Sequence, residues 1–277
     1  MNIEHIAKNI EKKENGIYFS KSDSSISYPE EGNEHCLQIE EDSFWFKHRN
    51  NVIAKSVLQY SAASTFFDVG GGNGFVAKRL QNEGVRTVLV EPGLTGAMNA
   101  KKRGIHHIIC STMEDAGFEK GSIDSVGLFD VVEHIAEDSY FLTDIHSFLK
   151  PNGLVYITVP AFNFLWSNED DDAGHYRRYS LNQFKILIEK CGFKVKYATY
   201  IFSILPLPVF LFRTIPSKLG INKNSNDLAK HKNEHKTKKG IVHNILERIW
   251  RWELNRVRRC KPIHFGGSCF VIAKKIN

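Results

Sequence analysis

The chain has few cysteines and no pattern that would make them act as a group. Its 277 residues include five cysteines, and no two of them form a C-x-x-C pair. An odd, scattered set argues against a disulfide framework and against a zinc cluster. It suits a reducing compartment, so we expect a cytoplasmic protein.

The chain also lacks the features of targeting and membrane-spanning segments. Its first thirteen residues are polar, without the apolar core of a signal peptide. Residues 197–212 carry no charge, but a spanning helix needs about 20 apolar residues, and Pro206 and Pro208 interrupt this run. We expect no transmembrane segment. The run is either a strand that continues into a buried loop or short helix, or an apolar acceptor pocket or membrane-surface element.

What the chain does contain is a strand, a glycine turn and a helix around residue 70. Residues 65–69 form a short apolar run, glycines end it, and residues 75–80 have helical spacing. This arrangement begins a doubly wound α/β domain, in which ligands bind at the carboxyl ends of the strands. The third glycine of the dinucleotide fingerprint G-x-G-x-x-G would fall on Phe75, so a dinucleotide site is not indicated.

The spacing of the glycine turn is Asp68-x-Gly70-x-Gly72-x-Gly74. It resembles motif I of the class I S-adenosylmethionine (SAM)-dependent methyltransferases. The resemblance implies that SAM is the cofactor and that these four residues bind it.

Two further cofactor contacts follow from the same resemblance. A strand at residues 87–90 ends on Glu91, which is placed to accept hydrogen bonds from both ribose hydroxyls of an adenosine cofactor. After the next strand, at residues 108–110, this family usually brings a side chain to the adenine. Met113 or Glu114 would do so here.

A second specific match follows the strand predicted at residues 123–129. Residues 130–134 look like the D-V-x-E-H motif of small-molecule methyltransferases such as the ubiquinone-biosynthesis O-methyltransferases. The resemblance adds Asp130 to the cofactor site, and it offers His134 either as a base or as a hydrogen-bonding partner of a loop. Enzymes that methylate amino groups of nucleic acids carry D/N-P-P-Y/F at this position. The chain has no such tetrapeptide, which disfavours a nucleic-acid partner.

The loop after the fifth strand (residues 154–159) supplies the other candidates. An H-x-R-x-Y/F-S pattern there recurs in this methyltransferase group, and Ser180 is the expected N-cap of a helix over residues 181–191. His175 is either a general base or a scaffold residue, and Arg177 or Arg178 could clamp an anion. Three consecutive aspartates, residues 170–172, point in different directions, so we predict no metal site.

An aromatic start marks the helix predicted at residues 44–60, Phe44-Trp45-Phe46. Two interpretations stay open. The aromatic side chains pack the helix onto the sheet, or the helix covers the cofactor pocket, as N-terminal helices commonly do in the family that the glycine turn resembles.

Positive charge is concentrated near the end of the chain. Residues 218–261 contain thirteen lysines and arginines against four acidic residues, a net charge of +9, whereas the whole chain has +6. Residues 222–240 predict a loop, and residues 241–257 predict a helix with one apolar face and arginines on the other. This surface is either a solvated charged face or a site for phosphate groups of anionic lipid, of a lipid-linked phosphosugar or of RNA.

These patterns predict an α/β fold with a doubly wound, mostly parallel, seven-stranded Rossmann-like sheet. We expect a polar N-terminal extension (1–43), a SAM-binding methyltransferase core that begins with a helix (44–200), a basic helical insertion (201–265) and a final core strand (266–277). The expected function is methyl transfer from SAM to an oxygen of a small, amphipathic or lipid-linked acceptor, with peripheral contact to an anionic membrane. The alternatives are an RNA methyltransferase and a SAM-binding protein without catalysis.

Overall fold

In the residues that the structure describes, one nine-stranded sheet flanked by helices forms the frame. We describe a computed structural model, which places residues 3–21, 37, 39–41, 43–61, 64–221 and 241–276, with the backbone alone for 241–243. The strands are β1 (Ile10–Lys12), β2 (Tyr18–Ser20), β3 (Phe66–Val69), β4 (Thr87–Val90), β5 (Ile108–Cys110), β6 (Ile123–Phe129), β7 (Leu149–Pro160), β8 (Phe193–Ile201) and β9 (Ser268–Lys275).

Helices follow most of the strands. They are α1 (Phe44–Tyr60), α2 (Phe75–Asn82), α3 (Leu94–Lys102), α4 (Asp138–Phe148), α5 (Asn168–Asp172), α6 (Leu181–Lys190), α7 (Pro206–Val209), α8 (Ile215–Lys218) and α9 (Ile241–Arg258). A π-helical turn, Phe210–Thr214, joins α7 to α8. The predicted N-cap of α6 is confirmed, because the Ser180 hydroxyl accepts the Gln183 amide in a capping box.

The strand order is β1-β2-β5-β4-β3-β6-β7-β9-β8. Strands β3 to β7 pair in parallel, and β9 runs antiparallel between β7 and β8. The prediction of a mostly parallel, doubly wound sheet is confirmed, but its count of seven strands was wrong. Strands β1 and β2 form an N-terminal hairpin that pairs in parallel with β5 and extends the sheet edge.

Strands β3 and β4 are buried along their whole length. This burial follows from the architecture, because helices cover both faces of a parallel sheet. All parallel strands direct their carboxyl ends to one edge, which brings Val69, Val90 and Phe129 to the same side of the sheet. The residues that follow them build the candidate site.

Helix α1 packs against the C-terminal helix α9. Glu253 of α9 is fully buried and accepts a hydrogen bond from His48 Nε2 of α1 at 2.9 Å. The same carboxylate accepts the backbone amides of Phe202 and Ser203, at 2.9 and 2.6 Å. Burial raises the pKa of Glu253, but the hydrogen bond from His48 and those from Ser203 outweigh it and lower the pKa overall. Glu253 thus ties α1, α9 and the end of β8 together.

The charge-free run at residues 197–212 divides into two parts. Its first part is buried as the end of β8, and its second part begins the helical segment α7. In the part of the chain that the structure describes, no helix is long and apolar enough to cross a membrane. The basic loop predicted at residues 222–240 lies outside the described residues.

Candidate active site

The glycine turn after β3 has no room for a side chain at Gly70 or Gly71. Gly70 has φ +66°, and a Cβ atom there would lie 2.8 Å from Val131 Cγ2. At Gly71 a Cβ atom would lie 2.4 Å from Leu89 Cδ1 and 2.7 Å from Asp68 Oδ2. The turn therefore closes tightly over the Asp68 carboxylate and touches the segment that begins at Asp130.

Asp68 is a buried carboxylate without a well-formed hydrogen bond to either oxygen. Burial raises its pKa from 3.8 to about 7, and the charge of Arg49 and the Ala77 amide only partly oppose that rise. A buried, unsatisfied acceptor is costly unless a ligand supplies a donor or a positive charge. Together with the close-packed turn beside it, this orphaned carboxylate fits a cationic, hydrogen-bonding cofactor.

A stability prediction follows from the raised pKa of Asp68. A carboxyl whose pKa is higher in the folded state destabilises the fold when it is ionised. Its destabilising effect is absent below pH 3.8, grows up to pH 7 and is complete above it. We expect Asp68→Asn to raise the free energy of unfolding of the ligand-free chain at pH 8 by up to about 4 kcal/mol, with a smaller gain at pH 5.

Urea titration at both pH values measures this gain. Asp172→Asn, which changes an exposed carboxylate, is the control and should leave the free energy of unfolding unchanged. An Asp68→Asn variant that is less stable than the wild type at pH 8 would refute the assignment.

Glu91 lies at the tip of β4 beside the glycine turn. Its carboxylate accepts the Gly72 amide at 2.7 Å and the Gly93 amide at 2.8 Å. Burial raises the pKa of Glu91, and these two backbone bonds oppose the rise. The carboxylate thus stands where the carboxyl end of β4 meets the turn, as a ribose-binding residue must.

The remaining predicted cofactor residues differ in their surroundings. Gly74 caps α2 and packs against α3, since a Cβ atom there would lie 3.0 Å from Ala100 Cβ. Met113 is buried in the main hydrophobic core, whereas Glu114 is exposed. Met113 thus belongs to the core and Glu114 to the surface, and the adenine contact of either residue stays a prediction.

Asp130 pairs with Arg49, a residue that the sequence analysis did not single out. Asp130 has φ +57°, and it accepts hydrogen bonds from the Arg49 guanidinium and, at 3.0 Å, from Thr158 Oγ1. The guanidinium also stacks over the Trp45 ring at 4.6 Å. Helix α1 therefore does two things: Val52, Ile53 and Val57 pack into the core, and Arg49 reaches the edge of the site.

In the same segment, Glu133 is buried and His134 is partly buried. Glu133 lies in a short 3₁₀ turn (Val132–His134) and has no hydrogen-bond partner on either carboxylate oxygen. Burial, and then the charge of Asp130, raise its pKa well above the usual range. His134 has its pKa lowered to about 4, by burial first and by His175 second, so it is neutral near pH 7.

His175 belongs to an ordered set of polar contacts in the loop after β7. Its Nδ1 lies 2.9 Å from Asp170 Oδ1, and Arg178 holds the same carboxylate with bonds of 2.7 and 3.0 Å. Burial raises the pKa of Asp170, but the bonds from His175 and Arg178 outweigh it, and the pKa is lowered. An ionised carboxylate only accepts, so Nδ1 carries a hydrogen, and in the neutral imidazole the lone pair is then on Nε2.

The two predicted histidines lie together. The His134 and His175 rings are 4.7 Å apart in an edge-to-face arrangement. The two arginines proposed as an anion clamp are engaged within the protein, since Arg178 pairs with Asp170 and Arg177 with Asp138 at 2.8 Å. Of these three loop residues, His175 is therefore the one that lies against His134.

One group of side chains in the described part of the chain could hold a metal ion. Ligand atoms of Glu133, His134 and His175 all lie within 4.8 Å of one another. Each histidine has other contacts that explain its position, and the expectation that no metal is bound stays a prediction.

The sheet order is that of a doubly wound α/β domain, and Asp68, Glu91 and Asp130 lie at or just beyond the carboxyl ends of its central strands. A family model described as "Methyltransferase domain" matches residues 45–198. That match covers more than half of the chain, which therefore belongs to this methyltransferase family. The predicted membership in the class I SAM-dependent methyltransferases is confirmed, and SAM is the cofactor of that family.

Two curated proteins illustrate the relationship. A probable SAM-dependent methyltransferase of Mycolicibacterium smegmatis is 21% identical over 164 residues, which cover 57% of this chain and 62% of that protein. A ubiquinone biosynthesis O-methyltransferase of Parvibaculum lavamentivorans is 28% identical over 97 residues, or 33% of this chain and 38% of that protein. The chain thus spans less than two thirds of the length of either relative.

Solved structures support the fold. A phosphoethanolamine N-methyltransferase 2 of Haemonchus contortus, in complex with SAM, is similar with a TM-score of 0.57 and 18% identity, over 94% of this chain and 62% of that one. A SAM-dependent methyltransferase of Archaeoglobus fulgidus is similar with a TM-score of 0.51 and 19% identity, over 84% of this chain and 99% of that one.

Proposed function

We propose that the chain methylates an oxygen of a small or lipid-linked acceptor, with His175 as the general base. The observation that carries this proposal is the Asp170–His175 pair, which leaves an imidazole lone pair beside His134 at the carboxyl edge of the sheet. A hydroxyl acceptor needs such a base because its proton must leave as the carbon–oxygen bond forms.

Different residues would bind the cofactor and act on the acceptor. Glu91 and the glycine turn would hold the adenosine part of the cofactor, and the buried carboxylate of Asp68 would face its charged part. Bound SAM supplies a methyl group on a sulfonium, which is intrinsically transferable. Arg178 fixes Asp170, Asp170 orients His175, and His175 Nε2 takes the hydroxyl proton. Transfer of the methyl group to the oxygen would give the methylated acceptor and S-adenosylhomocysteine (SAH).

Continuous contacts connect the two halves of this site. The glycine turn abuts Val131 at Gly70, the Tyr176 amide donates to the Glu133 carbonyl at 2.8 Å, and His134 packs on His175. A cofactor on the glycine turn and an acceptor beside His175 would therefore be neighbours, which is what in-line transfer requires.

Two alternatives are less well supported. An RNA methyltransferase would rely on the basic C-terminal region, and the site has no D/N-P-P-Y/F tetrapeptide. A SAM-binding protein without catalysis would have no use for the Asp170–His175 pair.

Methyl-labelled SAM tests the proposal in an extract of the cells that make the protein. The extract is divided into aqueous, lipid and nucleic-acid fractions after incubation, and carbon NMR of the labelled methyl group identifies the acceptor atom. We expect an O-methyl product in the lipid or aqueous fraction. A nuclease-sensitive product, or an N-methyl product, would contradict the proposal.

A further inference from the structure

The helical segment from α7 to α8 is oriented against the usual rule. A surface helix normally turns its apolar side to the core and its polar side to water. Here the polar residues face the protein: Thr214 is fully buried and donates to the Leu165 carbonyl at 2.9 Å, and Ser217 donates to Asn168 Oδ1 at 2.6 Å. Arg213 pairs with Glu169 at 2.5 Å. The segment is therefore held to the loop after β7 by polar contacts.

The opposite side of the segment is apolar and exposed. Five apolar side chains of this segment and of the three residues after it have exposed fractions between 45% and 70%, and we call them the apolar face: Leu207, Leu211, Phe212, Leu219 and Ile221. Phe164 lies next to Phe210 of the segment, with ring centroids 6.1 Å apart, and is itself about half exposed. Several large apolar side chains exposed on one segment indicate a binding surface.

Positive charge lies on α9, the helix that contacts the residues just before this segment. Residues of α9 and the turn after it line an open groove of about 520 Å³, the basic groove: Arg248, Arg251, Trp252, Asn255, Arg256, Arg259 and Lys261. Trp252 is half exposed and stacks with Arg256. Glu253 binds Ser203, three residues before α7 begins, so the groove and the apolar face belong to neighbouring elements.

The apolar face also adjoins the candidate acceptor site. The segment rests on residues 165–169, and the next residue, Asp170, orients His175. A surface that binds the apolar face would therefore lie close to the candidate acceptor site.

We propose that the apolar face and the basic groove dock this protein on an anionic phospholipid surface, and that its acceptor is presented from that surface. The part about the acceptor rests on the proposed function, whereas the docking does not. Charge complementarity selects the occupant, because apolar insertion and basic residues are the two signals that reversible membrane association requires. Each arginine or lysine near such a surface strengthens binding about fivefold.

Vesicle flotation tests the docking with the full chain, in the absence of SAM and acceptor. Vesicles of phosphatidylcholine alone are compared with vesicles that also contain phosphatidylglycerol, at low and at high salt. We expect flotation with the anionic vesicles at low salt. Binding should weaken at high salt, since the Debye length falls from about 10 Å at 0.1 M to about 3 Å at 1 M.

Two matched aromatic variants distinguish vesicle binding through the apolar face from nonspecific binding through exposed aromatic side chains. Phe212→Ser should weaken vesicle binding about tenfold or more, because a phenylalanine no longer enters the lipid. Tyr140→Ser is the control, since Tyr140 on α4 has the same 70% exposed fraction as Phe212. It should bind as the wild type does. Both variants should keep the melting temperature and the SAM affinity of the wild type.

Two results would overturn the docking proposal: the wild type does not float with anionic vesicles, or Phe212→Ser floats as well as the wild type. If the wild type does not float and is a dimer that Phe212→Ser dissociates, a second copy covers the face. A failure of methyl transfer leaves flotation unaffected, so the two proposals fail separately.

Discussion

Replacing His175 by alanine should reduce methyl transfer by a factor of about 10² to 10⁴, the usual contribution of a positioned general base. SAM affinity should stay unchanged, because His175 belongs to the loop after β7 and not to the glycine turn. Labelled-methyl transfer gives the first quantity, and calorimetric titration with SAM gives the second.

A structural role for His175 would give a different pattern. His175→Ala would then lower the melting temperature and weaken SAM binding together with transfer. Added imidazole distinguishes the two cases, since it can replace a missing base but not a missing scaffold contact. We expect partial rescue of transfer by imidazole. His106→Ala removes an exposed histidine that precedes β5 and should leave transfer unchanged.

Replacing Glu91 by alanine should weaken SAM binding at least about a hundredfold. Two hydrogen bonds from ribose hydroxyls to a charged acceptor are lost, each of which contributes about 1.5–3 kcal/mol. The Gly72 and Gly93 amides lose their acceptor as well, so a thermal melt must accompany the titration. Glu91→Gln keeps one acceptor oxygen and should give an intermediate affinity.

The control for Glu91 is Glu119→Ala, which removes an exposed carboxylate paired with Lys8. Its SAM affinity should equal that of the wild type. Wild-type affinity in Glu91→Ala would mean that the ribose is bound elsewhere and that the glycine-turn interpretation is wrong.

The cofactor half of the site could be predicted because its signals are local. A strand, a glycine turn and a helix are adjacent in the sequence, and Glu91 directly follows the next strand. The pKa of Asp68 could not be predicted in the same way. It depends on how completely the turn and Leu89 enclose the carboxylate, which only the packed structure shows.

Other features depend on contacts between distant residues. Arg49 meets Asp130 across 81 positions of sequence, and no local pattern marks that pair. Asp170 was set aside as one of three aspartates, yet it alone of the three is buried, where it binds His175 and Arg178. The strands of the N-terminal hairpin are three residues long, too short for an alternating pattern to register.

The orientation of the apolar segment could not be predicted from the sequence either. Composition identified residues 197–212 as apolar but could not tell which side of a helix would face water. The orientation is set by the polar contacts of Thr214 and Ser217, and both residues lie outside the run.

A crystal structure of the protein with SAH tests the central claim most directly. We expect both ribose hydroxyls of SAH within hydrogen-bond distance of Glu91. We expect its sulfur atom on the side of the site that His134 and His175 share. A complex in which SAH binds away from the glycine turn, or in which its sulfur faces away from both histidines, would contradict it.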